Sequence, residues 1–410
     1  MGYLKDAIKG VGWMTAFRVL YRIVGIVRIA IIAHLLSPFT LGLFGVITIV
    51  LAFLEIITET GINIFLIQEK EDMDGYINTA WVVSIARGAF IAVLICILAG
   101  PISAFFNSTG SKELLYFAAL VPFIRGFINP SIVKFQKDLL FHKSFIYRIL
   151  VFTVESVISV LGVIILRNPY GLVFGLIAGS IFDVMFTFFA VRPWPKFHFD
   201  IIRGKKVVNQ GRWMTLFGIF DYLYTQSDNI IVGRILGVAP LGIYQNAYKI
   251  STAPLTEVGA IFFDVTFPVF SKISDEAVRL KSAFVKNTIV NFILMTLTGI
   301  FIFIFAGPIV QILLGKGWEA AIPVVKLLSI LGVVRGVAGS TSSLLIAKRE
   351  QKYTAVVMMI STLGLWVSIV PLVRAFGILG AGIAAILGAF VAFPVQIYLV
   401  AKVLRRMENE

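Results

Sequence analysis

Residues 11–36 read VGWMTAFRVLYRIVGIVRIAIIAHLL, an apolar run from Val11 to Leu36 interrupted by Arg18, Arg22 and Arg28. A bilayer-spanning helix needs ~20 mostly apolar residues, so the run is long enough to cross. A charge at the bilayer centre costs about 2.5–3.5 kcal/mol even on the lenient insertion scale. At about 100° per residue the three arginines share an arc of about 120°, opposite Val19, Ile23, Val27 and Ile31. The spacing therefore predicts a membrane helix with a cationic stripe turned toward protein or water. Forked guanidinium donors bind phosphate oxygens in pairs, and a cleft lined this way attracts a diphosphate.

The same segment recurs. Trp13-Met14-Thr15 returns as Trp213-Met214-Thr215, and the same shift of 200 pairs Phe17 with Phe217, Ile31 with Ile231, Leu36 with Leu236 and Leu41-Gly42 with Leu241-Gly242. Thr58-Glu59-Thr60-Gly61 pairs with Thr256-Glu257-Val258-Gly259, and Ala99-Gly100-Pro101-Ile102 with Ala306-Gly307-Pro308-Ile309. Arg125-Gly126 pairs with Arg335-Gly336, and Tyr170-Gly171-Leu172 with Phe376-Gly377-Ile378. The order is kept, and the shift drifts only between 198 and 210.

Apolar runs between polar or Gly/Pro breaks predict helices over 11–36, 40–66, 78–100, 112–133, 147–166 and 170–191. After a basic stretch, six more fall over 213–236, 240–268, 287–313, 320–346, 353–373 and 377–402. The expected fold class is an all-α integral membrane protein of about twelve transmembrane helices in two parallel six-helix repeats. The expected domains are an N-terminal lobe over 1–195, a basic cytoplasmic linker over 196–212 and a C-terminal lobe over 213–410. Parallel repeats facing each other enclose a cleft, and rocking one against the other gives alternating access.

The net charge of +14 follows from topology. With both termini cytoplasmic, inner segments hold 23 of the 36 Lys and Arg, and outer loops hold Lys112, Arg167, Lys316 and Arg374. This is the positive-inside bias, and nucleic-acid binding needs no separate hypothesis. One inner loop carries Lys134, Lys137, Lys143 and Arg148. The segments 137–147 and 270–286 mix apolar and basic residues and read as amphipathic stretches on the cytoplasmic surface. His34, His142 and His198 are scattered, so no metal site is expected. Cys96 stands alone in an apolar run and is expected to be packed. With 59% hydrophobic residues and no long polar segment, the chain has no room for a sizeable soluble catalytic domain.

Charges within spans mark candidate function. Arg18, Arg22, Arg28, Arg87, Arg125 and Arg335 are the candidate cavity cations. Glu55, Glu59, Asp183, Asp228 and Glu257 are candidate counter-charges or ion-coupling groups. Asp221 is a further acid of the same kind, and Asp264 reads as structural. Arg87 and Arg125 have Glu55, Glu59 and Glu155 as alternative partners. Asp228 occupies the repeat position of Arg28, and an ion pair between the two halves is one expectation. The small-residue runs Gly175–Gly179 and Gly377–Gly382 read as helix-packing faces.

These features resemble the Wzx-type polysaccharide flippases, within the superfamily that also holds multidrug and toxic compound extrusion transporters and the lipid II flippase. The local marks are Leu35-Leu36-Ser37-Pro38-Phe39-Thr40-Leu41-Gly42-Leu43-Phe44 and Thr58-Glu59-Thr60-Gly61-Ile62. In the second half they are Asp228 through Gly237 and Leu241-Gly242-Ile243-Tyr244-Gln245-Asn246-Ala247-Tyr248. The resemblance implies a multi-pass inner-membrane protein that moves undecaprenyl-diphosphate-linked oligosaccharide units from the cytoplasmic to the outer leaflet. It implies a V-shaped two-lobed bundle with a cationic central cavity and no covalent catalysis. It implies no cofactor, with drive from a Na+ or H+ gradient or the membrane potential. Its partners would be the lipid-linked glycan, the bilayer and a polysaccharide polymerase or glycosyltransferases; a monomer is expected because two halves of one chain build the cleft. The competing expectation is an ion-coupled multidrug/cation antiporter on the same fold, for which acids and aromatics, rather than an arginine stripe, would line the pocket.

Overall fold

The computed structural model describes residues 2–68 and 73–409. These residues are almost wholly helical: α1 (Gly2–Leu35), α2 (Pro38–Ile57), α3 (Ile62–Gln68), α4 (Met73–Phe105), α5 (Thr109–Ala118), α6 (Leu120–Arg125), a 3-10 turn (Pro130–Val133), α7 (Lys134–Lys137), α8 (Phe141–Leu166) and α9 (Tyr170–Ala190). There follow α10 (Ile201–Leu236), α11 (Val238–Lys272), α12 (Ala277–Ile304), α13 (Ala306–Leu313), α14 (Ala321–Ala347), α15 (Gln351–Phe376) and α16 (Ile378–Asn409). Each stretch expected to span is helical over most of its length.

Among the described residues, nine helices are long and apolar enough to cross a membrane: α2, α4, α8, α9, α11, α12, α14, α15 and α16. A tenth candidate is broken. Thr109–Arg125 and Pro130–Lys137 meet at 69°. α1 and α10, of 34 and 36 residues, are at least as long as most of these, and carry Arg18, Arg22 and Arg28, and Asp221, Asp228 and Arg234, respectively. Large apolar side chains point outward, including Ile97, Ile165, Phe189 and Val367, as lipid-facing surfaces require. Cys96 is exposed on the same outward side of α4 as Val93 and Ile97, and so is not packed in the interior as its apolar surroundings led one to expect.

The helix ends follow local chemistry. Ser37 caps α2, its Oγ accepting from the Thr40 N–H at 3.3 Å, with Pro38 at the first helical position. Gly237 (φ +91°) separates α10 from α11, a conformation that L side chains avoid. Three of the expected straight helices are interrupted. The second breaks at Thr58–Gly61, where Gly61 adopts φ +65° and its N–H donates to Glu59 Oε1 at 2.9 Å. The fourth breaks after Gly126, where Asn129 Oδ1 accepts from the Ser131 N–H at 3.0 Å ahead of Pro130. The ninth breaks at Phe305, between α12 and α13. The stretch 137–147 is split between α7 and the start of α8, and 270–286 between the end of α11 and the start of α12.

The chain divides into two compact units, Met1–Tyr222 and Leu223–Glu410. The division falls within α10, not in the basic stretch at 196–212. That stretch is itself helical from Ile201, and Asp200 Oδ1 accepts from the N–H groups of Ile202 (2.8 Å) and Arg203 (3.1 Å). The first part of α10 is tied to the first unit by hydroxyls that donate to main-chain carbonyls, Tyr222 Oη to Ile49 O at 2.7 Å and Thr215 Oγ1 to Glu59 O at 2.6 Å. In the first unit α8 packs along α9 at Gly162 and Gly171, where a Cβ on Gly171 would stand 2.4 Å from the Gly162 carbonyl carbon. In the second, α14 packs on α11, α12 and α16 around buried Leu331, Leu344 and Leu345.

Candidate anion-binding cavity in the first unit

The two breaks in the first unit help build a cavity. α2 ends at Ile57 and leaves Glu55 and Glu59 on its last turn and cap. α6 ends at Arg125, just before the Gly126–Asn129 bend. α4 passes close to α6 because neither Gly88 nor Gly126 carries a side chain: a Cβ on Gly88 would meet Pro122 O at 2.4 Å, and one on Gly126 would meet Ser84 O at 2.9 Å. That approach sets Arg87 of α4 beside Arg125 of α6. The resulting cavity, about 590 Å³, is lined by Glu55, Glu59, Arg87 and Arg125, by Tyr147 and Arg148 at the start of α8, and by the polar Asn63, Ser84, Gln136 and Ser144. Its volume is in the range of small-molecule sites.

The three arginines of the cavity differ in how fully they are engaged. Arg87 donates from Nε to Thr58 Oγ1 at 3.1 Å and from Nη2 to the Glu55 carbonyl, and pairs with Glu59 Oε2 at 3.5 Å. Arg125 Nη1 pairs with Glu55 Oε1 at 3.0 Å. Arg148 makes no hydrogen bond or ion pair among the described residues. Tyr147 Oη donates to Asp183 Oδ1 of α9, which ties that acid to the cavity wall.

Of the cavity cations expected from sequence, the structure brings together Arg87 and Arg125, with Glu55 and Glu59 as their counter-charges. The α1 stripe is not part of this cavity. Arg28 Nη1 pairs with Glu155 Oε1 of α8 at 2.7 Å, and its guanidinium carbon lies 5.9 Å from the Phe152 ring centre. Arg18 is exposed and Arg22 half-buried. Arg28 and Asp228, expected to pair, each have a partner within their own unit: Glu155 for Arg28, Tyr244 for Asp228. The reason is reach along neighbouring helices, since α8 lies against α1 and Tyr244 follows Asp228 across the Gly237 turn.

In the second unit the charges form a tyrosine-lined cluster. Asp228 is 3% exposed and accepts from Tyr244 Oη at 2.9 Å, while Tyr244 is fully buried. Arg335 Nη1 donates to Tyr248 Oη, and its guanidinium carbon lies 5.1 Å from the Tyr224 ring centre. Glu257 is half-buried on α11. Sequence reasoning missed Arg148, which it counted as a topological loop charge, and Tyr147, Tyr224, Tyr244 and Tyr248. The i, i+4 spacing of Tyr244 and Tyr248 was the available signal. Among the described residues no group of three or more His, Cys, Asp or Glu is placed to hold a metal.

The first-unit cavity lies in a bundle whose helices are long and apolar enough to cross a membrane. Two solved structures share the fold over nearly the whole chain. One is the lipid II flippase MurJ in an inward closed conformation (TM-score 0.75, 14% identity, 96% of this chain and 89% of that one). The other is an inward-facing multidrug resistance MATE family transporter of the MOP superfamily (TM-score 0.72, 15% identity, 95% and 96%). A family model described as polysaccharide biosynthesis protein matches residues 31–323. Relatives include the lipopolysaccharide biosynthesis protein WzxC of Escherichia coli (strain K12), 24% identical over 350 residues, covering 85% of this chain and 71% of that one. The teichuronic acid biosynthesis protein TuaB of Bacillus subtilis (strain 168) is 25% identical over 367 residues, covering 84% and 72%. The chain belongs to this polysaccharide biosynthesis protein family.

Proposed function

We propose that the protein flips polyprenyl-diphosphate-linked oligosaccharide units, of the undecaprenyl type, from the cytoplasmic to the outer leaflet of the inner membrane. The observation that carries this reading is the first-unit cavity, where Arg87, Arg125 and Arg148 converge in a chain of the polysaccharide biosynthesis family. Twelve spans in two parallel six-helix lobes, with both termini cytoplasmic, make α1 and α10 the charged first helix of each lobe. The lobes rock to give alternating access, and the arginines hold the diphosphate or anionic sugars in passage. The cavity wall includes Gln136, Ser144 and Arg148, next to the basic loop of Lys134, Lys137 and Lys143. By the positive-inside rule this end faces the cytoplasm, where the cargo is loaded.

Outward movement of a negative headgroup from a negative interior is favourable by ~2.3 kcal/mol per charge per 100 mV. The membrane potential, or a Na+ or H+ gradient acting through Glu55, Glu59, Asp183, Asp228 or Glu257, supplies the drive. No bond is made or broken, and the protein works as a monomer, handing its cargo to a polymerase. A second reading, a multidrug/cation antiporter, draws support from Glu55, Glu59 and Tyr147 in the same cavity. Sealed proteoliposomes separate the two. In the first case, lectin-accessible glycan rises with wild-type protein and falls roughly tenfold or more with Arg125→Ala, the loss expected for one charge-assisted contact. Efflux of an organic cation with no glycan flipping overturns the flippase reading.

A further inference from the structure

The first-unit cavity ranks its own arginines. Arg87 is held by three acceptors: the Thr58 hydroxyl, the Glu55 carbonyl and the Glu59 carboxylate. Such a group is a fixed strut. Arg125 has one counter-charge, Glu55, and the pair is open to solvent, with 39% of the Arg125 side chain and 34% of the Glu55 side chain exposed. Arg148 lines the same cavity, is exposed, and is unpaired among the described residues. Asp183, beside the cavity wall, already accepts from Tyr147 Oη.

A solvated ion pair contributes little, about 0–1 kcal/mol, so Arg125 can change partners at low cost. An oxyanion offered to Arg125 and Arg148 gains forked contacts from two guanidiniums. Neutral donors and acceptors on Asn63, Ser84, Gln136 and Ser144 surround the pair, which suits the hydroxyls of a sugar or the bridging oxygens of a phosphate ester.

We propose that Arg125 and Arg148 form an oxyanion subsite inside the first lobe, in which the Glu55 carboxylate holds Arg125 as an internal competitor until a ligand phosphate or sugar carboxylate displaces it. The ligand chemistry is a phosphate or a hexuronate carboxylate. The subsite favours anionic over neutral cargo because a neutral group gives Arg125 no reason to leave Glu55. This inference rests on the flippase reading in taking its anion from the cargo.

The test is titration of full-length protein in nanodiscs with inorganic pyrophosphate and, separately, with glucuronate, alongside the flipping assay on the same preparations. Arg148→Ala is expected to weaken binding of the preferred anion about tenfold, the value of one charged hydrogen-bonding contact. Arg148→Lys, which keeps the charge and loses the fork, should fall between that variant and wild type. Glu55→Gln is expected to tighten binding about fivefold by removing the competitor. Preference for pyrophosphate assigns the subsite to the lipid-linked phosphates, and preference for glucuronate assigns it to an acidic sugar. Wild type that binds neither anion overturns the subsite, and so does a Glu55→Gln variant whose affinity is unchanged or weaker while its melting temperature matches wild type. If such a protein still flips glycan, the transport reading stands without the subsite. If it flips none and exports a cation, both fall.

Discussion

Arg125 and Arg335 stand at equivalent positions of the internal repeat, each followed by a glycine that lets its helix close on a neighbour. In the first unit the neighbour of Gly126 is α4, where an added Cβ would meet Ser84 O at 2.9 Å. In the second the neighbour of Gly336 is α12, where it would meet Met295 Sδ at 2.5 Å. The frame is thus shared, and the surroundings of the arginine are not. Arg125 sits in an open cavity against a carboxylate. Arg335 is set among Tyr248 and Tyr224, near the Asp228–Tyr244 pair. The second half has turned its arginine into a packing element. The first has kept its arginine exchangeable, and the chemistry of transport is expected there.

The largest effect should come from the packed arginine. Arg335→Ala leaves Tyr248 without its donor and the buried Asp228 without a nearby cation, and removing one member of a buried charged cluster costs about 3 kcal/mol. A lowered melting temperature in detergent is expected, and a variant that melts like wild type would show that this cluster is not structural. Gly88→Ala comes next. Its Cβ would meet main chain at Pro122 O, so α4 and α6 must separate, at a cost of about 1–3 kcal/mol. Transport should fall with stability, because Arg87 and Arg125 move apart.

Arg125→Ala is the contrast that sharpens the comparison. Its half-exposed ion pair with Glu55 predicts less than ~1 kcal/mol of lost stability, with flipping strongly reduced. A stability loss equal to that of Arg335→Ala would erase the distinction between the two units. The smallest effect is at Asp200, outside both sites. The N–H groups of Arg203 and Ile202 hold its carboxyl below the ordinary carboxylate range. A depressed carboxyl contributes stability above its unfolded value near ~4 and loses it as pH falls through the folded value. Asp200→Ala should therefore lower the melting temperature slightly at pH 7 and leave it unchanged at the acid end.

Helix positions were legible because a span must be apolar for ~20 residues, and that pattern is local. The breaks were less so. Gly126 and Pro130 stand within the fourth run, but apolar residues on both sides read as one helix, and the caps supplied by Asn129 and Thr58 mark the breaks. Glu55 and Glu59 were identified as counter-charges, yet their assignment to Arg125 and Arg87 depends on α2, α4 and α6 meeting. Arg148 was misread because a basic residue after a loop satisfies the positive-inside rule whether or not it lines a cavity.

The sequence by itself determined that the chain is a helical membrane protein with charges that lipid cannot solvate, because hydrophobic length and the cost of burying charge act residue by residue. Tertiary structure alone decided which charges meet. An ion pair forms over about 4 Å between residues 70 or 127 positions apart, as in Arg125–Glu55 and Arg28–Glu155. That distance is set by helix breaks and by glycines that let backbones touch. The same Arg-Gly signature therefore became an exchangeable cation in one half and a tyrosine-held strut in the other.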